Sequence, residues 1–482
     1  MIDALARWAR AQPAAPAFIA DGAVMDFARL QAEIEGMAAA LLARGVRPSV
    51  PAGLVLHSTP RHFIAMLALF RLGAPLVALA PVEPPDERRA ILDRAAAPLC
   101  LGLAADAVDG IPHLAIDRLS APGDAAGLPP PPGLDTVAHF ARSSGTSRGV
   151  AKMVATTFGH MRANDGRMRS RYPIGPGERY LLLSPLASFF GRQHARMVLA
   201  AGAGVIFPAD AGPPAAVRAT ALRHGATMTA LIPAMVRDLL GAAGADPVLP
   251  GMRLWVGAAP LSAPERLAVM RQLTPRLHVG YGTTEVGGIA LADPDDLAVD
   301  IETVGRAYPM IEAEAVDDAL RPVPTGEIGV LRYRSDEFQT AYIDDVPGAS
   351  SRFQDGWFYP GDAGAIDAAG RIRLVGRSDD FINVGGRKIH PGDIERVIAG
   401  HPLVVEVAVV PIASAREGQV PVAAIVVRAP LDAAEVLAHC RAALPPRLLP
   451  RRVVTMDALP RNLAGKVDRA AVLARIEARP GS

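Results

Sequence analysis

The chain has 482 residues, of which 50% are hydrophobic and 21% charged, so it is globular, with two or three domains, and not disordered. Its 50 basic and 49 acidic residues nearly cancel, which excludes the strongly basic surface of a nucleic-acid-binding protein. Two distant cysteines, Cys100 and Cys440, and the lack of clustered histidines in the sequence argue against a disulfide framework or a structural zinc site, and favour a cytoplasmic location.

The first 125 residues alternate helical segments with short apolar runs. Helices are predicted over 27–43 and 60–72, and strands over 52–56 and 75–79. This alternation is typical of α/β units with a largely parallel sheet. The most apolar window, 63–81, is interrupted by charged and helix-breaking residues, so we expect a buried helix and a strand there and no membrane span.

A polar loop, RSSGTSRGVAKMV, occupies residues 142–154. Glycines free its backbone N–H groups, and hydroxyls and Lys152 add donors, so the loop has the chemistry that binds phosphate oxygens. The spacing is not that of a Walker A loop. A simple connection between two elements is the alternative interpretation.

Two further polar clusters follow predicted strands. Tyr281-Gly-Thr-Thr-Glu285 places a carboxylate beside hydroxyls, a combination that suits Mg²⁺ together with phosphates and water. Asp362 follows a Pro-Gly turn, where a carboxylate can accept hydrogen bonds from two sugar hydroxyls. Both clusters are also compatible with ordinary turns.

The stretch GRSDDFINVGGRKIHPGDIE, residues 376–395, predicts a joint between a large and a small domain. It contains a polar turn, a short strand, a glycine loop and a helix that begins near Pro391. Such a turn late in the chain fits a linker that also acts as a hinge, with a surface loop as the alternative. We therefore place the large domain at 1–376, the hinge at 377–380 and the small domain at 381–482.

Lysine is rare in this chain. Only three of the 50 basic residues are lysines, namely Lys152, Lys388 and Lys466. Where arginine is used almost everywhere else, a lysine indicates a place that needs a compact ammonium, although exposed lysines are often only solvated charges. Lys466 is predicted on a loop before the last helix, from which a mobile small domain would present it to the large domain.

Six ordered motifs resemble the AMP-forming superfamily of acyl-CoA synthetases, adenylation domains and luciferases. They are SSGTS at 143–147, GAAPL at 257–261, YGTTE at 281–285, GWFYPGD at 356–362, GRSDDFI at 376–382 and PRNLAGK at 460–466. The resemblance implies an α/β fold with a large multi-sheet N-terminal domain and a small, mobile α+β lid. It also implies that ATP and a carboxylic acid form an acyl-adenylate and pyrophosphate, after which a thiol displaces AMP.

The resemblance assigns the ATP site position by position. The residues that would hold the β- and γ-phosphates are Ser143, Ser144, Gly145, Thr146, Ser147, Gly149 and Lys152. Tyr281 would stack on the adenine, and Gly257, Ala258 and Ala259 would line the opposite wall. Gly282 and Thr283 would also belong to the ATP site. Thr284 would contact the α-phosphate and Glu285 would bind Mg²⁺, while Asp362 and Arg377 would hold the ribose.

The remaining assignments concern the acid, the thiol and the lid. Lys466 would bridge the carboxylate and the α-phosphate, and Asp379 would be the hinge residue. Attack of an anion on a polyanion is resisted by like charge, so an ammonium and Mg²⁺ would offset the charge that accumulates. The residues that would line the CoA channel are Gly385, Gly386 and Lys388, and those of the acyl pocket are Ser188 and Gly257.

The sequence departs from the family pattern in two places. Arg148 interrupts the phosphate loop, so two alignments with the family pattern are possible. With a single inserted residue, Gly149 and Lys152 take the positions of the family's glycine and lysine. Without a gap, Arg148 and Ala151 take those positions. The scarcity of lysine favours the first. At 184–191 Ser188 or a neighbour stands where many acyl-CoA synthetases carry a histidine in the acyl pocket. The aspartate that amino-acid-activating relatives place near this segment is also missing, which disfavours an amino-acid substrate. Arg192 and Arg196 follow and would suit a second carboxylate, but we interpret them as surface arginines.

Three functions are therefore considered. The first is an acyl- or aryl-CoA ligase that uses ATP, Mg²⁺ and coenzyme A, and the second is an adenylation enzyme that loads the phosphopantetheine of a carrier protein. The third is a non-catalytic relative, against which the presence of Lys466, Glu285 and Asp362 argues.

Overall fold

The computed structural model describes the chain except for residues 21, 120–126, 143–152, 210–211, 242–246, 339–351, 379–380, 386, 415–416, 462–466 and 479–482. Two units are distinguished within it: Met1–Glu312 with Arg334–Phe353, and Ala313–Tyr333 with Gln354–Ser482. The second unit thus takes in residues that precede the predicted hinge. Asp379 lies outside the described residues, so the hinge and the domain limits at 376 and 381 stay predictions. None of the described helices is long and apolar enough to cross a membrane.

The chain alternates helices with short strands through most of its length. The strands are β1 Pro16–Ala20, β2 Ala23–Asp26, β3 Ala52–Val55, β4 Leu76–Leu79, β5 Cys100–Gly102, β6 His113–Ala115, β7 Val137–Arg142, β8 Met153–Thr157, β9 Arg179–Leu181, β10 Gly204–Phe207, β11 Met228–Leu231, β12 Arg253–Val256, β13 Leu277–Thr283, β14 Gly287–Ala292, β15 Arg306–Ala307, β16 Glu312–Val316, β17 Gly329–Arg334, β18 Phe353–Gln354, β19 Trp357–Phe358, β20 Asp362–Ile366, β21 Ile372–Arg377, β22 Ile382–Val384, β23 Arg387–Ile389, β24 Val404–Ser414, β25 Gly418–Val427 and β26 Arg452–Thr455. The helices are α1 Ile2–Ala11, α2 Phe27–Ala43, α3 Pro60–Leu72, α4 Pro85–Arg94, α5 Phe158–Arg171, α6 Phe189–Ala200, α7 Pro214–His224, α8 Pro233–Gly241, α9 Ala263–Gln272, α10 Pro294–Val299, α11 Pro391–Ala399, α12 Ala433–Ala443 and α13 Arg469–Glu477.

Two sheets form the framework of the first unit. The larger has nine strands in the order β15-β14-β13-β12-β11-β9-β10-β1-β2, and the smaller has six in the order β6-β5-β3-β4-β7-β8. Central strands such as β3, β4, β11 and β12 are buried along their whole length, which is typical of parallel sheets covered on both faces. The predicted α/β class with several sheets is confirmed.

Local capping explains where several helices begin and end. Helix α3 starts after Thr59, whose side chain accepts a hydrogen bond from the backbone N–H of His62, and it ends at Gly73 in a left-handed conformation (φ 68°). Pro60 occupies its first turn, where a missing N–H costs nothing. Nearly all of α3 is buried, and Phe63 stacks on Phe18 with 5.3 Å between ring centroids.

The second unit contains two further sheets, of six and five strands. One has the path β18-β19-β17-β20-β21 with β16 beside β17, and the other has β23-β22-β25-β24 with β26 beside β25. The long hairpin of β24 and β25 carries an apolar cluster on each side, one built with Ile394 and Val436 and the other with Val472 and Ile476. This α+β arrangement of the C-terminal segment is the one that the sequence predicts.

Candidate active site

Two neighbouring parallel strands bring the predicted adenine-binding motifs together. Strands β12 and β13 pair through Val256 and Val279, so the motifs that follow them leave the sheet side by side. A Cβ atom added to Gly257 would lie 3.3 Å from the carbonyl oxygen of Gly280, which shows how closely the two segments approach. Ligands of open α/β sheets bind at the carboxyl ends of such strands.

A β-bulge shapes the second of these motifs. The antiparallel pairing of β13 with β14 shifts register between Tyr281 and Gly282. A side chain at position 282 would collide with the carbonyl oxygen of Gly287, because an added Cβ would come within 2.3 Å of it. Bulges of this kind redirect the side chains beside them, here Tyr281 and the two threonines that follow.

Glu285 lies in the turn after β13 and is only 6% exposed. The Nη1 atom of Arg352 is 3.2 Å from its Oε1 atom. A buried carboxylate needs a cation or strong hydrogen bonds, since burial penalises its charged form. A single carboxylate beside hydroxyls, completed by phosphate and water oxygens, is also the donor set that Mg²⁺ prefers. The residues present therefore fit the predicted ion.

Asp362 and Arg377, the predicted ribose ligands, face each other in the second unit. They are register partners in the antiparallel pair of β20 and β21. The Nη1 atom of Arg377 donates to Oδ1 of Asp362 at 3.0 Å and to the carbonyl oxygen of Pro360 at 2.7 Å. The ion pair holds the carboxylate in a fixed orientation.

Several predicted residues lie outside the described part of the chain. These are the phosphate-loop residues Ser143, Ser144, Gly145, Thr146, Ser147, Gly149 and Lys152, together with Asp379, Gly386 and Lys466. Lys388 belongs to the backbone of β23, opposite Asn383, but its side chain is not described. Gly385 adopts a left-handed conformation (φ 57°).

A cavity in the first unit was not anticipated from the sequence. Its lining comes from Phe70, His139, Thr156, His160, Met161, Asn164, Phe189, Arg192, Gln193, Arg196, Thr284 and Gly287. Thr284, the predicted contact of the α-phosphate, therefore lines the same cavity as residues of α5 and α6 and as single residues of α3, β7 and β8. Ser188 and Gly257, the predicted acyl-pocket residues, are not among this lining.

The interpretation of Arg192 and Arg196 as surface residues was wrong. Arg192 is 5% exposed and Arg196 is 4% exposed. Arg196 forms a bidentate ion pair with Asp165, with N–O distances of 2.5 and 2.7 Å. Arg192 donates from Nη1 to the carbonyl oxygens of Leu186, Ala187 and Ser188. Helix α6 faces the interior, so its arginines are buried.

Ser188 is engaged as the N-cap of α6. Its Oγ accepts from the backbone N–H of Gly191 at 3.0 Å and donates to the carbonyl oxygen of Pro185 at 2.7 Å. We expect Ser188→Ala to lower the free energy of unfolding by about 1 kcal/mol, measured by denaturant titration, and to leave the order of preferred acids unchanged. Ser188→Thr, which retains the cap, is the control. A changed acid preference in Ser188→Ala would place this side chain in the acyl pocket.

Burial keeps several histidines neutral. It lowers the pKa of His62, His160, His194 and His278 to about 4, and it lowers the pKa of His139 well below its usual value, with Arg192 and Arg196 adding to the effect. At a pH between 4 and 6.5 the unfolded chain therefore binds protons that the folded chain does not. The contribution of these neutral imidazoles to the free energy of unfolding is fully present above pH 6.5 and is lost as the pH falls towards 4.

We accordingly expect the melting temperature to fall between pH 7 and pH 5. Each of these histidines should remove roughly 1–2 kcal/mol of unfolding free energy over that interval. Melting curves at constant ionic strength measure the effect, and His278→Phe, which removes one titrating group, should reduce the slope. Equal melting temperatures at pH 7 and pH 5 would show that these imidazoles are not neutral in the folded state.

One cluster was missed because its members are distant in sequence. His57 Nε2 lies 2.9 Å from Oδ2 of Asp106, and His62 lies close enough that all three could ligate one ion. The guanidinium of Arg88, 3.8 Å from Oδ1 of Asp106, is a cation already beside that carboxylate. We therefore describe the cluster as a buried ion-pair network and assign no metal to it.

Comparison with known proteins gives matches along nearly the whole chain. The model of the AMP-binding enzyme family matches residues 5–343, and that of the AMP-binding enzyme C-terminal domain matches residues 393–466. A CoA ligase of Mycobacterium tuberculosis is 30% identical over 97% of both chains. Its named substrate is a propanoyl group that carries a methyl-dioxo-octahydroindenyl ring system. A sulfoacetate–CoA ligase of Cupriavidus necator is 30% identical over 74% of this chain and 71% of its own length.

A solved structure shares the fold. The o-succinylbenzoate CoA synthetase of Bacillus subtilis, in complex with its acyl-adenylate intermediate, superposes with a TM-score of 0.86 at 24% identity, covering 97% of each chain.

Proposed function

Because the chain belongs to the AMP-binding enzyme family, we propose that it joins a carboxylic acid to coenzyme A at the expense of ATP, with AMP and pyrophosphate as products. The observation that carries this proposal is the meeting of two motifs at the carboxyl ends of β12 and β13, with the cavity opening beside Thr284. Relatives that are CoA ligases act on acids as different as a bicyclic propanoate and sulfoacetate.

The first step forms an acyl-adenylate. The acid's carboxylate attacks the α-phosphorus of ATP, the bond from that phosphorus to the bridging oxygen breaks, and pyrophosphate leaves. We assign Tyr281 to the adenine, Thr284 to the α-phosphate and Lys466 to the carboxylate and α-phosphate. Asp362, oriented by Arg377, is assigned to the ribose hydroxyls, and the loop at 143–152 to the β- and γ-phosphates.

Glu285 would hold Mg²⁺, which neutralises phosphate charge when bound. In the structure this carboxylate is buried and paired with Arg352, so the guanidinium would have to share the carboxylate with the ion or give way to it. The protein's own part would be to hold this carboxylate in place beside the phosphates.

The second step transfers the acyl group to a thiol. The thiolate of coenzyme A attacks the acyl carbon, the acyl–phosphate oxygen bond breaks, and AMP leaves. We assign Gly385, Gly386 and Lys388 to the passage that the thiol uses.

The acceptor is tested by offering coenzyme A and a phosphopantetheinylated carrier protein in parallel, each with ATP, Mg²⁺ and a panel of acids. Mass spectrometry of the products is expected to show acyl-CoA. Acylation of the carrier protein with no acyl-CoA would identify an adenylation enzyme instead, and the absence of both products would contradict the ligase activity.

A further inference from the structure

The cavity beside α5 and α6 carries an uncompensated positive charge among the described residues. Of the buried guanidiniums around it, Arg167 pairs with Glu337 and Arg196 pairs with Asp165. Arg192 is only 5% exposed, yet no described carboxylate forms an ion pair with it. Within the described residues its only hydrogen bonds come from Nη1 and go to backbone carbonyl oxygens, so Nε and Nη2 have no protein acceptor.

The surroundings of Arg192 differ from those of Arg266, another buried arginine. Arg266 is also buried and also donates to backbone carbonyl oxygens, those of Leu261, Ile301 and Thr303. Burial lowers the pKa of Arg266 to about 10, and the carboxylates of Glu302, Asp300 and Glu265 partly offset this effect. Burial lowers the pKa of Arg192 to about 9, and the charged groups that act on it, Arg142 and Arg196, add to this lowering. Carboxylates thus act on Arg266, whereas arginines act on Arg192.

Other polar atoms of the same cavity also lack a partner. Both ring nitrogens of His139 and the Nδ1 atom of His160 are buried without a hydrogen-bond partner in the described part of the chain. His139 is 5% exposed, and leaving such groups unsatisfied is costly. An acceptor placed between these side chains would satisfy the guanidinium and an imidazole N–H together.

We propose that the acid this enzyme activates carries a second anionic group, a carboxylate or a sulfonate, and that the Arg192 guanidinium binds that group inside the cavity. The inference rests on the proposed function, because it names the class of acid that the same site activates. Nε–H and Nη2–H form a planar pair that matches the two oxygens of such a group. Thr284 lines the same cavity, so the acid's reacting carboxylate would remain beside the α-phosphate contact.

The test compares acids that differ only in the second charge. Malonate, succinate and glutarate are each paired with their monoamide, which has nearly the same shape, and sulfoacetate provides the sulfonate arm. Acid-dependent pyrophosphate exchange gives kcat/KM for each acid. We expect the wild-type protein to prefer at least one doubly anionic acid to its neutral counterpart by roughly 10- to 100-fold, the effect of a charge-assisted hydrogen-bonded pair.

Arg192→Met keeps most of the side-chain volume and removes the charge. It should bring that preference close to unity, mainly by lowering kcat/KM for the diacid. Arg266→Met is the matched control, because it removes another buried guanidinium that donates to carbonyl oxygens; it should lower the melting temperature and leave the preference intact. A preference that persists in Arg192→Met overturns the proposal.

Two further outcomes are decisive. If Arg192→Met does not give folded protein, Arg192→Lys takes its place; it retains a charge without the planar fork, and an unchanged preference in it overturns the proposal. A wild-type enzyme that exchanges pyrophosphate with hexanoate or benzoate but with no doubly anionic acid overturns this inference alone. If the proposed function itself is wrong, no acid of any class supports pyrophosphate exchange, so the two failures give different results.

Discussion

Replacing Lys466 by alanine is expected to slow acyl-adenylate formation by roughly 10²- to 10³-fold, the usual effect of removing a preorganised charge from a transition state. The reacting carboxylate and the triphosphate are both anionic, and their repulsion must be offset where the new bond forms. Lys466 is one of only three lysines in a chain with 50 basic residues, and it ends the motif PRNLAGK. Thioester formation from supplied acyl-adenylate should be spared, because the adenylate is already made.

The two half-reactions are measured separately, the first by pyrophosphate exchange and the second by rapid quench with purified acyl-adenylate and coenzyme A. Arg461→Ala is the matched control in the same segment. Its guanidinium is 41% exposed and pairs with Glu406, so its loss should change neither half-reaction. Equal losses in both half-reactions of Lys466→Ala would contradict the role assigned to this lysine.

Glu285→Gln is expected to lower the rate of acyl-adenylate formation by roughly 10²-fold and to raise the Mg²⁺ concentration needed for half-maximal rate. The substitution keeps the shape of the side chain and removes its charge at a position that is 6% exposed. The exchange rate is measured as a function of free Mg²⁺ at saturating ATP.

Arg352→Gln separates loss of the ion pair from loss of the carboxylate. It removes the cation 3.2 Å from Glu285 and leaves Glu285 in place, so the dependence on Mg²⁺ should persist even if stability falls. A Glu285→Gln variant whose rate depends on Mg²⁺ as the wild type does would show that this carboxylate does not hold the ion.

The helices were predictable wherever their end signals are local. The predicted limits 27–43 and 60–72 coincide with α2 and α3, because Asp26 and Thr59 cap their first turns. The predicted strand at 52–56 corresponds to β3, Ala52–Val55, and the polar YGTTE motif ends a strand as expected. Capping residues, prolines and apolar periodicity act over a few positions, so a single sequence contains them.

Features that depend on distant partners were not predictable. Arg192 and Arg196 were interpreted as surface residues, since nothing near them in sequence explains a buried guanidinium. The carboxylate that pairs with Arg196 is Asp165, on a different helix. His57 and Asp106 come together across 49 positions of the chain. The walls of the cavity likewise meet only when α5, α6 and the end of β13 are packed.

The most direct test of the central claim is acid-dependent exchange of labelled pyrophosphate into ATP, with Mg²⁺ present and coenzyme A absent. If the chain forms acyl-adenylates, label enters ATP only when a suitable acid is added, and the rate depends on that acid's concentration. If folded protein transfers no label with any aliphatic, aromatic, dicarboxylic or sulfonated acid, the account of acid activation is contradicted.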